Sequence, residues 1–150
     1  MEIKSSSFNN EAMIPAKYSY DGKNISPPLT WSGAPKETKS FALVCDDPDA
    51  PVGTWVHWVM FDMPANRNFL PESISSQEEI AGTGKNGINN FGNYGYDGPY
   101  PPGGTHRYYF KLYALDTMLN LNAKVSKEVL LAAMQGHVLA EAQVMGKYKI

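Results

Sequence analysis

Asp46 to Asp62 reads DDPDAPVGTWVHWVMFD, and the rest of the chain is organised around it. Ahead of it, Phe41-Ala42-Leu43-Val44-Cys45 is a short apolar run bounded by polar residues, the pattern of a strand buried on both faces. That strand ends at Asp46-Asp47-Pro48-Asp49-Ala50-Pro51. Neither proline can donate to a sheet ladder, and each restricts the residue before it, so the chain leaves the sheet in a stiff loop. Ala50-Pro51 is the first candidate for a cis bond, which usually marks a tight, fixed turn. After Gly53 a second strand is expected over 54–63. Strict alternation puts Trp55, His57, Val59 and Phe61 on one face, and Val56, Trp58, Met60 and Asp62 on the other. His57 is then the basic group of an apolar face, close in sequence to three carboxylates. Alone, such a histidine is most simply a core residue with its ring nitrogens satisfied.

A second stretch, Tyr96 to Asp116, repeats the logic: YDGPYPPGGTHRYYFKLYALD is a proline loop feeding a strand that opens on a histidine. Over 106–115, alternation places His106, Tyr108, Phe110, Leu112 and Ala114 on one face, and Arg107, Tyr109, Lys111, Tyr113 and Leu115 on the other. The first face is apolar except at its entry, where His106 and Tyr108 stand. Because its parity opposes His106, Arg107 is expected to form a salt bridge with an aspartate of the first loop.

Around these strands the pattern is less regular. Lys17 to Tyr20 suggests an edge strand behind Pro15, and Leu29 and Trp31 alternate within the stiff segment Ile25-Ser26-Pro27-Pro28-Leu29-Thr30-Trp31-Ser32-Gly33. Residues 65–92 are polar and read as a long structural excursion with a weak strand near Ile80; their glycines fit neither a phosphate loop nor a dinucleotide fingerprint. Ser126 is a good N-cap, and Glu128 suits a first helical turn. Leu130, Leu131, Met134, Val138, Leu139, Ala142 and Met145 recur at helical spacing, predicting a helix over 126–145 with Gly146 at its C-terminal cap.

The composition bounds the function. The chain of 150 residues suits one domain, 1–150, with a real core. Its net charge of −2, with no basic cluster, gives no electrostatic case for nucleic acid. The one cysteine, Cys45, permits neither an internal disulfide nor a cysteine zinc site. No signal peptide and no membrane-length apolar run are visible, so a soluble cytoplasmic protein is expected. No cofactor motif is present.

With both stretches in view, the chain resembles the phosphatidylethanolamine-binding protein family, and more narrowly its bacterial and archaeal, Raf kinase inhibitor-like branch. Three blocks carry the resemblance: ISPPLTWSG at Ile25–Gly33, DDPDAP with WVHW downstream at Asp46–Trp58, and GPYPPGGTHRYYFKLYALD at Gly98–Asp116. It implies a mainly antiparallel β-sandwich with a C-terminal helix packed on it. It also implies a small pocket for phosphate-like anions, formed by Asp47, His57, Gly98, Pro99, His106 and Tyr108, with Asp49, Pro51 and Trp55 beside it. The chain is short after the helix, without the long C-terminal extension of the animal members, so lipid gating and animal-type kinase inhibition are not expected to carry over.

The residue types suit such a pocket. Histidine N–H and tyrosine O–H groups are donors, glycine admits close approach of backbone N–H groups, and Asp47 is placed to orient one imidazole. Affinity for an anion such as sulfate is then expected to be highest at mildly acidic pH. The leading reading is a binding protein for a phosphorylated small molecule, head group or side chain, with a regulated protein partner and a homodimer left open. The alternative is a hydrolase using His57, His106 and Asp47 as acid, base and orienting group. Metal binding by His57, His106, Asp47 and Asp49, and a purely structural role for the histidines, are further readings.

Overall fold

The apolar run at Phe41–Cys45 lies at the middle of the larger of two sheets. In the computed structural model, which describes residues 1–122 and 124–150, the chain begins with β1 (Glu2–Lys4) and a single 3-10 turn over Ala16–Tyr18. It continues with β2 (Leu29–Ser32), β3 (Ser40–Asp47), β4 (Trp55–Pro64), β5 (Phe69–Leu70), β6 (Glu79–Ile80), β7 (Gly84–Asn86) and β8 (Thr105–Leu115). Helix α1 (Lys127–Met134) and β9 (Val138–Lys149) complete it. The strands form a three-stranded sheet in the order β1-β2-β5 and a six-stranded sheet in the order β6-β7-β4-β3-β8-β9, all antiparallel. The fold is the expected antiparallel sandwich.

Strand β3 is buried along its whole length because β4 and β8 flank it and both of its faces are covered. Phe41, Leu43 and Cys45 join Phe110, Leu112, Trp58 and Met60 in the core between the sheets, against Ile3, Leu29, Trp31 and Leu70 of the smaller sheet. Ala42 and Val44 face the other way, into a second cluster with Val56, Val59, Phe61 and Leu130 and Met134 of α1. Burying each of these larger apolar side chains stabilises the fold by about 1.5–3 kcal/mol relative to exposure. The expected core residues Phe41, Val44, Val59, Phe61, Phe110 and Leu112 are all fully enclosed.

Three local readings need correction. Alternation in β4 is broken twice. Cys45 pairs with Trp58 and Asp46 with Val56, so His57 is an extra residue with no partner of its own on β3, a β-bulge. A second shift between Phe41 and Leu43 coincides with Asp62, whose φ is +54°. Val56, Val59 and Phe61 therefore share the helix side, whereas Trp58 and Met60 face the smaller sheet. The segment expected as an edge strand near Tyr18 is instead the 3-10 turn. The Ala50–Pro51 bond is trans.

The largest difference lies at the C-terminus. The helix expected over 126–145 ends at Met134; Gln135 leaves helical backbone and Gly136 has φ +82°. From Val138 the chain is a strand pairing with the whole length of β8, from Leu115↔Val138 to Thr105↔Lys149. The same residues carry a period of two: Ala140, Ala142, Val144 and Tyr148 pack on the inter-sheet core. Tertiary demand decides between the periods, since without β9 the long β8 would present an open ladder edge. Ser126 caps α1 as expected, its Oγ accepting from Val129 N at 3.2 Å. Val138 and Leu139 are partly exposed instead of continuing the helical stripe.

The outer edge of β9 is covered by residues 11–14, through Glu11 N to Met145 O (2.6 Å), Lys147 N to Ala12 O (2.8 Å) and Ile14 N to Lys147 O (2.7 Å). Gly146 is therefore a packing glycine, not a helix cap: a Cβ there would lie 2.4 Å from Ile14 Cγ1 and 2.9 Å from Phe8 Cε2. Among the described residues, no helix is long and apolar enough to cross a membrane. Gly146→Ala is expected to lower stability by about 1–3 kcal/mol through overpacking, read as a lower urea midpoint. An unchanged midpoint would show that the N-terminal segment does not press on β9.

Candidate functional site

Adjacent carboxylates at the end of β3 point to opposite faces and meet different partners. Asp46 lies on the helix side, where Lys127 Nζ of α1 stands 2.7 Å from Oδ2 and Lys111 Nζ 3.1 Å from Oδ1. Asp47, 3 % exposed, turns to the end of the inter-sheet core, where His106 Nδ1 donates to its Oδ2 at 2.6 Å. Its Oδ1 accepts the backbone N–H of Asp49 at 2.7 Å, so the carboxylate also shapes the proline loop. That loop is fastened to β8 a second time on the outside. Arg107 grips Asp49 through Nε–Oδ2 (2.9 Å) and Nη2–Oδ1 (2.8 Å), and its backbone N–H bonds Oδ2 at 2.9 Å. The guanidinium holds the Asp49 carboxyl below its ordinary range. The salt bridge expected of Arg107 is therefore present.

His57 is held differently. Its Nδ1 lies 2.7 Å from the backbone oxygen of Asp97, and the Asp97 N–H donates to the His57 carbonyl at 3.1 Å. A carbonyl can only accept, so Nδ1 carries the proton. The ring is 2 % exposed and meets Tyr108 and Phe91 edge-on at 5.1 and 5.5 Å between centroids. Burial pulls its pKa below the usual histidine value, and the Asp97 carbonyl and the charge of Asp47 oppose this only in part. Tyr108, 1 % exposed, has a hydroxyl outside good hydrogen-bond geometry with any described residue, with the Asp47 carboxylate and the Tyr100 backbone among its polar neighbours. Burial first, then the nearby Asp47 charge, push its pKa well above the ordinary phenol value.

These groups form the floor of a cavity of about 490 Å³. Asp47, His57, His106 and Tyr108 line it, as do Pro51 and Trp55; Phe91, Tyr100 and Pro102 supply further apolar wall, and Val52 the outer lip. The structure thus brings together both histidines, Asp47 and Tyr108, as expected. Asp49 sits outside with Arg107. Gly98 and Pro99 stand behind the cavity. The Gly98 N–H is engaged by Asn24 Oδ1 at 2.7 Å, and the Pro99 carbonyl accepts from Tyr20 N at 2.9 Å. A Cβ on Gly98 would fall 1.9 Å from the Tyr18 carbonyl oxygen, so this glycine serves close backbone packing. Among the described residues, no group of three or more His, Cys, Asp or Glu side chains is arranged to hold a metal.

A match to the sequence pattern of the family described as Phosphatidylethanolamine-binding protein extends over residues 4–149. The chain belongs to the phosphatidylethanolamine-binding protein family. It is 50% identical over 149 residues to a UPF0098 protein of Methanothermobacter thermautotrophicus, covering 99% of each chain. It is 46% identical to one from Aquifex aeolicus, over 99% of this chain and 88% of the other. Two solved structures superpose with a TM-score of 0.91: a phosphatidylethanolamine-binding protein homologue from Chlamydia trachomatis (40% identity, 99% of this chain and 97% of the other) and Escherichia coli YbcL, described as a member of the mammalian family (32%, 99% and 98%).

For this phosphatidylethanolamine-binding protein family member, the strand entries were legible but the brace behind them was not. Asp97 is buried, and its carboxylate accepts from three side-chain amides: Asn24 (2.8 Å), Asn89 (2.8 Å) and Asn93 (2.9 Å). Asn89 and Asn93, with Phe91 of the cavity wall, come from the end of the stretch expected to be a structural loop and the residues just after it. Asn89, Asn93 and Asp97 lie on irregular backbone, so no residue periodicity signals their convergence.

Burial of His57 sets a pH dependence. Its folded pKa is depressed, so the unfolded chain takes up a proton first as pH falls. The stability contributed by the neutral ring is complete above about pH 6.5 and is lost as pH falls from there through the lower folded pKa. His57→Gln is expected to flatten the fall in urea-measured stability between pH 7 and pH 5. Parallel profiles for the two proteins would show that His57 is not buried neutral.

Proposed function

We propose that this protein is a ligand-binding protein whose cavity takes a phosphate-like oxyanion carried on a small molecule, a head group or a protein side chain. The observation carrying this reading is the Tyr108 hydroxyl, enclosed at the cavity floor outside good hydrogen-bond geometry with any described residue. A buried hydroxyl left unpaired costs about 1–3 kcal/mol, and an oxyanion accepting from it would remove that penalty. His57 and His106 flank it with their Nδ1 atoms already engaged, which leaves Nε2 of each ring for a ligand. The apolar walls supported by Trp55, Phe91 and Tyr100 give room for a substituent larger than the anion itself.

The hydrolase alternative draws on the same His106–Asp47 pair, which is the geometry of a base and its orienting carboxylate. Among the described cavity residues there is no Ser, Thr or Cys to act as nucleophile, and Cys45 is enclosed in the core. Binding is therefore the reading favoured. The proposed compartment is the cytoplasm, and a protein partner that reads the loaded state is part of the same proposal.

Tyr108→Phe separates a ligand-binding tyrosine from a structural one. Phosphate binding followed by calorimetry is expected to weaken by about 10- to 100-fold, the loss of one hydrogen bond to a charged acceptor. Thermal stability should stay level or rise, because the variant removes a buried polar atom in poor hydrogen-bond geometry. Unchanged phosphate affinity would overturn the proposal.

A further inference from the structure

A second cavity, about 640 Å³ in volume, shares no lining residue with the first. It lies on the other side of the Asp97 brace. The backbone oxygen of Asp97 holds His57 of the first cavity, and Asp97 itself lines the second. One wall is Ser73-Ile74-Ser75-Ser76, and it is fastened from behind. Ser73 N donates to Ser26 O at 2.9 Å, Ile74 N to Ser26 Oγ at 2.9 Å, and Ser75 O accepts from Asn86 Nδ2 at 2.8 Å. Ser73 is held at φ +65°, a left-handed conformation that persists where the surroundings over-determine it. Another wall comes from residues 93–97, fixed by the bonds of Asn24 and Asn93 to Asp97 at 2.8 and 2.9 Å. The two segments meet where a Cβ on Gly95 would fall 2.9 Å from Ser76 Cα. The cleft is therefore already built before anything enters it.

The lining decides what fits. Among the described lining residues there is no Lys, Arg or His, and the charged group is Asp97, so an anion finds no counter-charge. The serines bring hydroxyls, each able to donate and to accept. Ser26, 1 % exposed, accepts from Ile74 N and keeps its own hydrogen to donate. Asn93 spends one Nδ2 hydrogen on Asp97 and keeps the other. Asp97 Oδ1 accepts from Asn24 and retains a lone pair. The hydroxyls of Tyr94 and Tyr96 donate to Glu78 at 3.1 Å and to the Tyr18 carbonyl at 2.7 Å, so ring carbon is what these residues offer a ligand. A cation would be drawn to Asp97, but the N–H groups of Asn24, Asn89 and Asn93 already surround that carboxylate and hold the wall. Interleaved donors and acceptors, one ionised acceptor and ring carbon complement a molecule with many hydroxyls on a C–H framework. We infer that this cleft is a second ligand site, for a neutral polyhydroxylated molecule of the sugar class. Its hydroxyls donate to Asp97 Oδ1 and accept from Asn93 Nδ2 and Ser26 Oγ. The site stands or falls independently of the anion pocket.

Backbone amide chemical shifts of the full chain, titrated separately with glucose, galactose, mannose, trehalose and methylammonium, test this. At least one sugar is expected to give saturable shifts centred on Ser26, residues 73–76 and residues 93–97, with a dissociation constant in the millimolar range. Ser76 is exposed and takes no part in the bonds that fasten its wall, so Ser76→Trp puts a bulky ring into the cleft from the surface. Sugar affinity in that variant is expected to fall about 10-fold or more, the loss of a filled site. No saturable shift at the cleft from any of the four sugars would overturn the site. Saturation by methylammonium and by none of the sugars would overturn the ligand class. Sugar affinity unchanged in Ser76→Trp would overturn the placement. Should the variant not fold, Overhauser contacts between sugar C–H and Tyr94 ring protons decide in the wild type: they are expected, and their absence overturns the inference. A parallel titration with inorganic phosphate, read at His57 and Tyr108, reports on the anion pocket by itself.

Discussion

Two neighbouring carboxylates close a strand that is buried on both faces, and little of either is open to water. A buried charge is tolerable only when it is paired and hydrogen-bonded. Because successive residues of a strand point to opposite faces, Asp46 and Asp47 cannot share partners. Asp46 is met by Lys111 and Lys127, which ties α1 to the sheet. Asp47 is met by His106, which ties the proline loop to the entry of β8. Helix placement, loop course and the position of one histidine thus follow from a single demand at the end of β3.

The bulge in β4 meets a second demand. With strict alternation, His57 would share a face with Val59 and Phe61, on the helix side, away from the site. The extra residue turns His57 to the side occupied by Tyr108 while Val59 and Phe61 keep their places. Bulges commonly re-aim a side chain beside a functional site.

What could be read from the chain alone follows from which signals are local. The central strands were visible because apolar runs bounded by prolines and turns need no knowledge of their neighbours. The convergence of His57 and His106 was visible because each opens a strand behind a proline loop. The end of the helix was hidden, because Val138 to Met145 satisfies both periods and only the open edge of β8 chooses between them; Gly136 was the local warning. The bulge was hidden too, since WVHWVMF reads as perfect alternation and the break appears only in the register with Cys45 and Asp46. Gly98 was recognisable as a position needing close approach, and the group that lies against it is the Tyr18 carbonyl.

The Asp97 brace has a consequence for how the site responds to ionic strength. The Asp97 carboxylate is itself buried and is satisfied by the dipoles of three amides, of which Asn89 is fully buried, and dissolved ions screen such a charge little. The Asp49–Arg107 clasp is partly solvent-exposed, with the guanidinium nearly half accessible, and is open to screening. Concentrated salt therefore acts unevenly across one cavity. It loosens the outer fastening of the proline loop and leaves the ring of His57 where it was, so the rim can yield to its surroundings while the floor keeps its geometry.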